Sequence, residues 1–313
     1  MAIPAALQSG LKLPVIAAPM FLVSGPELVI SACKAGVIGT FPALNQRTTE
    51  GYSQWLDQIK AALKPGDASY GVNIIVHPTN PRVMADMVVT VEHKVPLVIT
   101  SLGAVRDIVD AVHSYGGLVF HDVTTVRHAK KAAEAGVDGL ILVCAGAGGH
   151  AGVWSPFALV DEVRQFFDGT IILSGALSTG RDIAAALMMG ADFAYLGTRF
   201  INTVESLAPD AYKDMILNAH AADVTYTPAI SGIPANFLTQ SLINNGLDPK
   251  SLPDKTKVDL GKELDHEVKA WKEVWSAGQG VGSVKDVLPV ADLVARLKRE
   301  FDDARGDFGK RFA

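Results

Sequence analysis

Residues 125–152, TVRHAKKAAEAGVDGLILVCAGAGGHAG, contain one complete repeat of the fold. A threonine opens the stretch, alanines follow at helical spacing, and Gly136 supplies the stop. GLILV at 139–143 is a short apolar run bounded by glycine, which reads as a strand covered on both faces. The same grammar recurs through the first two hundred residues. Strand-like runs stand at 15–18, 37–41, 70–74, 97–100, 118–121, 139–143, 171–174 and 193–196. Segments such as PELVISACKAG and STGRDIAAALMMG lie between them, and Gly36, Gly136 and Gly190 each lead straight into the next strand. Eight strand–helix units predict an α/β fold, the (β/α)8 TIM barrel. An open doubly wound sheet usually carries a glycine-rich loop after its first strand, and here Ala18-Pro19-Met20-Phe21 stands in that place.

Composition narrows the class further. Of 313 residues, 49% are hydrophobic and 19% charged, which excludes a disordered chain. No apolar run approaches the roughly 18 residues that a membrane span needs. The start, MAIPAALQSGLK, lacks the basic opening and apolar run of a secretion signal. Basic and acidic residues are well mixed, 28 against 33, so a nucleic-acid surface has no electrostatic support. Cys33 and Cys144 cannot make a disulfide framework or a cysteine-based zinc site. These readings predict a soluble cytoplasmic protein with no nucleic-acid or membrane partner, and they leave a homo-oligomer open.

The rhythm breaks near residue 204. The expected plan is a barrel from 1–204 and 284–313, with 205–283 as a mainly helical insertion or lid. YTPAISGIPANF at 226–237 has the punctuation of a loop, and GKELDHEVKAWKEVW at 261–275 reads as an amphipathic helix. A last helix over 284–301 returns to close the barrel.

The active site of such a barrel forms at the C-terminal ends of its strands. After the sixth strand, four glycines surround His150, which is that loop's one titratable group and has a side chain suited to proton transfer near neutrality. Gly146, Gly148 and Ala151 formally match a dinucleotide fingerprint. The next strand, however, ends in Ser174-Gly175 rather than in the acidic residue that would hold a ribose. The loops after strands seven and eight, 174–180 and 196–200, offer small residues, hydroxyls and backbone N–H groups. Ser178 or Thr179 can also cap the following helix. Together these features predict a phosphorylated ligand with His150 beside it. Asn73 either satisfies backbone or contacts a ligand ring. His121 and Asp122 have no partner at metal-ligand spacing, and Cys144 reads as a packing residue.

Pro19-Met20, GVN at 71–73, AGGHAG at 147–152, SGALSTG at 174–180, LGTRF at 196–200 and WSAGQ at 275–279 together resemble the nitronate monooxygenases. These FMN-dependent barrels were formerly called 2-nitropropane dioxygenases. The resemblance implies noncovalent FMN, its phosphate held by Gly175, Ala176, Gly197 and Thr198, with Ser174 and Leu196 opening those two loops. Asn73 and Gly148 would contact the ring or ribityl chain, and the backbone at Ala18 and Met20 would lie beneath the isoalloxazine. Gly149 and Asp122 join the contact set, Gln279 approaches from the C-terminal segment, and His150 is similar to the family's base. Two positions depart from the pattern. Val143 stands where Gln or Asp is frequent, and Asp122 where quinone-reductase relatives carry Lys. The implied activity is oxidation of an alkyl nitronate by O2 to a carbonyl compound and nitrite. The same superfamily contains NAD(P)H:quinone reductases and flavin-dependent enoyl-ACP reductases. A noncatalytic flavin-binding protein is a remoter alternative.

Overall fold

Side chains alternate across a strand, so each buried strand must supply two apolar faces. The structure, a computed structural model, describes residues 3–103, 106–230, 232–252 and 274–311. Eight parallel strands close the barrel: β1 (Val15–Ala17), β2 (Ile38–Pro42), β3 (Tyr70–Ile75), β4 (Leu97–Ser101), β5 (Leu118–Val123), β6 (Gly139–Val143), β8 (Thr170–Ser174) and β9 (Phe193–Leu196). The two-residue strand β7 (Gly149–His150) lies outside it. Closure comes from β9 pairing with β1, Val15 opposite Ala194 and Ala17 opposite Leu196. All eight predicted runs are barrel strands.

Ile16, Ile38, Ile99, Phe120, Ile141, Ile172 and Phe193 fill the barrel interior. Their neighbours Val15, Val98, Val119, Leu140, Leu173 and Ala194 face the surrounding helices. Burial of each such side chain contributes about 1.5–3 kcal/mol. The short helix Ala5–Gln8 drives Leu7 into the interior cluster and stops the N-terminal end. The ring of helices closes where Val290–Arg311 packs on Gly180–Met188 and Pro26–Ala35. A Cβ at Gly180 would lie 2.2 Å from Leu297 O, so only glycine permits that crossing. The closing helix starts later than the expected residue 284. A 3-10 turn, Gln279–Ser283, comes first, and the Glu205 carboxylate then accepts from the Val290 N–H.

Residues 205–283 contain more than helices. Helix Asp210–Leu217 is followed by β10 (Val224–Thr227) and β11 (Ala235–Leu238), and then by helix Thr239–Asn244. β10, β11 and β7 make an antiparallel sheet. The stretch 226–237, expected as a loop, is instead a hairpin turn with parts of both flanking strands. VTYT is too polar to announce itself as a strand, and it is defined by its pairing with β11 across the hairpin, Val224 opposite Leu238. The helix expected over 261–275 falls largely outside the described residues. Val23, Ile201, Tyr212, Ile216, Leu238 and Val281 join this segment to the barrel rim, and Trp275 stacks on Tyr212 with ring centroids 5.0 Å apart.

Candidate active site

The inward-facing positions at the C-terminal strand ends differ from the apolar layers below them. Asn73, Ser101 and Asp122, on adjacent strands, form one directed chain. Asn73 Nδ2 donates to Ser101 Oγ at 2.7 Å, and Ser101 Oγ donates to Asp122 Oδ2 at 2.6 Å. Asp122 Oδ1 is buried with no hydrogen-bond partner. Burial lifts the Asp122 carboxyl from 3.8 to about 6, with the Ser101 hydrogen bond opposing the rise. Tyr195 is raised well above its ordinary 10, first by burial and then by the charge of Asp122.

A carboxyl whose folded pKa is raised stabilises the fold below its unfolded pKa, and that contribution is lost as pH rises through about 6. Two units correspond to about 3 kcal/mol. Asp122→Asn is therefore expected to melt at a higher temperature than wild type near pH 8, by roughly several degrees, with the gap closing toward pH 4. Thermal melts of the ligand-free protein across that range check it. A gap independent of pH would show that Asp122 is not the titrating group.

The mouth encloses a cavity of about 910 Å³, near the top of the ordinary range for small-molecule sites. Ala18, Met20, Asn73, Asp122, Gly148, Gly149, His150, Ser174, Gly175, Ala176, Gly197 and Thr198 all line it. Leu196 and Gln279 do not. Strand alternation turns Tyr195 inward and buries Leu196 against the outer helices, while the Gln279 side chain is exposed to solvent. His121 and Asp122 point to opposite faces of β5, and His121 Nδ1 meets Thr100 Oγ1 at 2.7 Å. No metal-holding group exists among the described residues. Burial pushes the Cys144 thiol up to about 12, which leaves it inert.

His150 sits in a loop with a fixed shape. Gly146 and Gly149 take φ of +82° and +67°, a conformation glycine adopts without strain. Within β7, His150 pairs with Ala235 and Gly149 with Asn236. Burial lowers the imidazole to about 4, so it stays neutral through the physiological range. A strap over residues 275–280 crosses the loops. The Gln279 N–H donates to Gly146 O at 2.8 Å, the Gly278 N–H to Thr198 Oγ1 at 2.9 Å, and Ser178 Oγ to Gly280 O at 2.9 Å. A Cβ on Gly148 would stand 2.7 Å from Gly278 N, which is why the crossing needs glycine.

The two loops after β8 and β9 divide their donors unequally. Asp182 accepts from the N–H groups of Ser178 and Thr179 at 2.9 Å, and Glu300 from that of Gly180 at 2.8 Å. The N-terminus of helix Gly180–Met188 is thus occupied by the protein's own carboxylates. By contrast, the backbone N–H groups of Gly175, Ala176, Gly197 and Thr198 donate to no protein acceptor among the described residues. Ala176 holds φ +57°, strained for a residue with a side chain. A Cβ on Gly197 would meet nothing nearer than Ala18 Cβ and Met20 Sδ, both at 3.7 Å, so it would project into open cavity. Arg199, from the same motif, turns away and binds Asp286 at 2.6 Å. A phosphate fits the four unused donors, with the Thr198 hydroxyl available as a fifth.

Ser101, Tyr195 and the contacts from β11 were not foreseen as parts of the site. Period-two counting from Leu97 and Phe193 identifies the first two. Nothing local identifies the third.

The sequence profile of the family described as nitronate monooxygenase matches residues 6–300. A nitronate monooxygenase of Paraburkholderia phytofirmans is 28% identical, over 93% of each chain. The solved nitroalkane oxidase of Streptomyces ansochromogenes superposes with a TM-score of 0.85 at 25% identity, over 97% of this chain and 100% of the other. FabK from Thermotoga maritima superposes at 0.80 with 24% identity, over 98% of this chain and 97% of the other, a likeness of fold alone.

Proposed function

The chain belongs to the nitronate monooxygenase family, and from that premise we propose that it holds FMN at the barrel mouth and oxidises alkyl nitronates with O2 to a carbonyl compound and nitrite. The observation that carries this reading is the meeting, in one cavity, of four unused backbone donors with a neutral histidine.

The N–H groups of Gly175, Ala176, Gly197 and Thr198 would hold the phosphate. Asn73 and Asp122 line the far wall, and Ala18 and Met20 the side toward β1. Bound FMN supplies the redox chemistry. The protein's part is to orient the substrate and limit its access to water, with Val143, Tyr195 and Trp275 giving the cavity apolar walls. His150 adds one step for a neutral nitroalkane: its unprotonated imidazole accepts the α-proton, generating the nitronate in place. Imidazolium and nitronate then carry opposite charges, which stabilises the pair in a poorly solvated site.

The test is anaerobic mixing of the yellow holoprotein with a simple alkyl nitronate and, separately, with NADH or NADPH. The expected result is rapid bleaching by the nitronate, with nitrite formed once air is admitted, and slow or no bleaching by the nucleotides. Fast bleaching by a pyridine nucleotide together with inertness toward nitronate would replace this reading with a reductase acting on quinones or enoyl thioesters.

A further inference from the structure

The segment that carries β10 and β11 touches the histidine loop at more than its backbone. Asn236, 2% exposed, donates from Nδ2 to Ala147 O at 2.7 Å, three residues before His150. Tyr226 donates from its hydroxyl to Ala151 O at 3.1 Å, one residue after it. Between these two pins, β11 pairs Ala235 with His150 and Asn236 with Gly149, and the Ala151 N–H donates to Pro234 O at 3.1 Å. The loop itself is glycine-rich, with positive φ at Gly146 and Gly149, so its own sequence does little to select one conformation. The side-chain pins come from about 75 to 90 residues away, a separation set by the fold rather than by the loop.

We propose that Asn236 and Tyr226 are positioning residues for proton abstraction, fixing His150 against the α-carbon of a neutral substrate by holding the carbonyls on either side of it. The proposal rests on the reading of His150 as a base. Neither side chain need touch the reacting atoms. A group displaced by about 1 Å can lose on the order of 100-fold in rate, so two pins on one loop act as a lever on the chemistry. Asn236→Leu tests the first pin. It removes an Oδ1 that is buried without a partner, but it leaves the buried Ala147 carbonyl without its donor, at a cost in folding stability. Tyr226→Phe deletes a single hydroxyl from a residue that is 42% exposed, which keeps the question answerable if the core substitution fails to fold.

The experiment compares holoproteins of equal flavin content on a neutral nitroalkane and on its pre-formed nitronate. Expected is a fall in kcat on the nitroalkane of roughly 10- to 100-fold for Asn236→Leu and several-fold for Tyr226→Phe, with nitronate turnover within about threefold. Equal losses on both substrates would mean general damage to the site and would overturn the proposal, as would no loss on the nitroalkane. A second readout does not depend on turnover. With 15N-labelled histidine, the His150 ring, assigned by its loss in His150→Asn, should give one set of NMR signals in wild type and broadened or split signals in either variant. Identical ring signals in all three proteins would overturn the pinning even if the chain proved inactive toward nitro compounds.

Discussion

His150→Asn is expected to slow turnover of a neutral nitroalkane by roughly 100- to 10,000-fold, while leaving turnover of the pre-formed nitronate within about tenfold, or about 1.4 kcal/mol in the barrier. The split arises because the nitronate has already lost the proton that the imidazole would remove. Burial adds a pH signature. With its pKa lowered to about 4, His150 is unprotonated from pH 8 down to about pH 5, so the wild-type rate on the neutral substrate should show no acid limb near 6.5. It should decline only as the pH falls through about 4, where protonation removes the base. Steady-state rates with both forms of one compound, after flavin content is matched, measure both effects. Large and equal losses on the two substrates would assign His150 to charge stabilisation or substrate placement instead.

Gly197→Val should yield a folded, colourless protein. The position has φ −101°, open to any residue, and the first added carbon finds only Ala18 and Met20, at 3.7 Å. The isopropyl group would then occupy space that a phosphate must enter to reach the N–H groups of Gly197 and Thr198. We expect the affinity for FMN to fall at least about 100-fold, some 2.7 kcal/mol, with the far-UV spectrum unchanged. Gly175 is the poorer choice for this test. At φ +143°, with a Cβ 2.9 Å from Ala145 O, any side chain there strains the fold as well as the site. Visible absorbance on purification, followed by FMN titration, decides the matter. Flavin retained at the wild-type level would place the phosphate elsewhere.

The barrel was legible because its strands are local statements. GLILV and FAYL announce burial within five residues, and glycine marks the joints. The histidine loop and the two small-residue loops were legible for a related reason, since a barrel's topology says in advance which ends face the cavity. Leu196 opens the last loop in sequence but does not line the cavity, since counting in twos from Phe193 turns Tyr195 inward and Leu196 out. Thr179 caps the following helix, as its position in the sequence suggests, and Asp182, three residues on, accepts in return from the Thr179 N–H. The Glu300 carboxylate on the Gly180 N–H was out of local reach, since it lies 120 residues away. The sheet of β7, β10 and β11 was out of reach altogether. A two-residue strand, Gly149–His150, and the polar VTYT acquire their meaning only from β11, which lies between them and pairs with both.

The strap over residues 275–280 places the completion of the mouth late in the life of the chain. A polypeptide emerging from the ribosome has all eight barrel strands by residue 196, yet Thr198 Oγ1, Gly146 O and Ser178 Oγ still await partners roughly 80 to 130 residues downstream. Contacts of such long sequence separation form slowly, because the intervening loop must close first. The barrel can therefore collapse around its aliphatic interior while its ligand end is still unlaced. Completion of the mouth becomes one of the last events of maturation, and a chain cut short before residue 275 would lack both the strap and the closing helix Val290–Arg311.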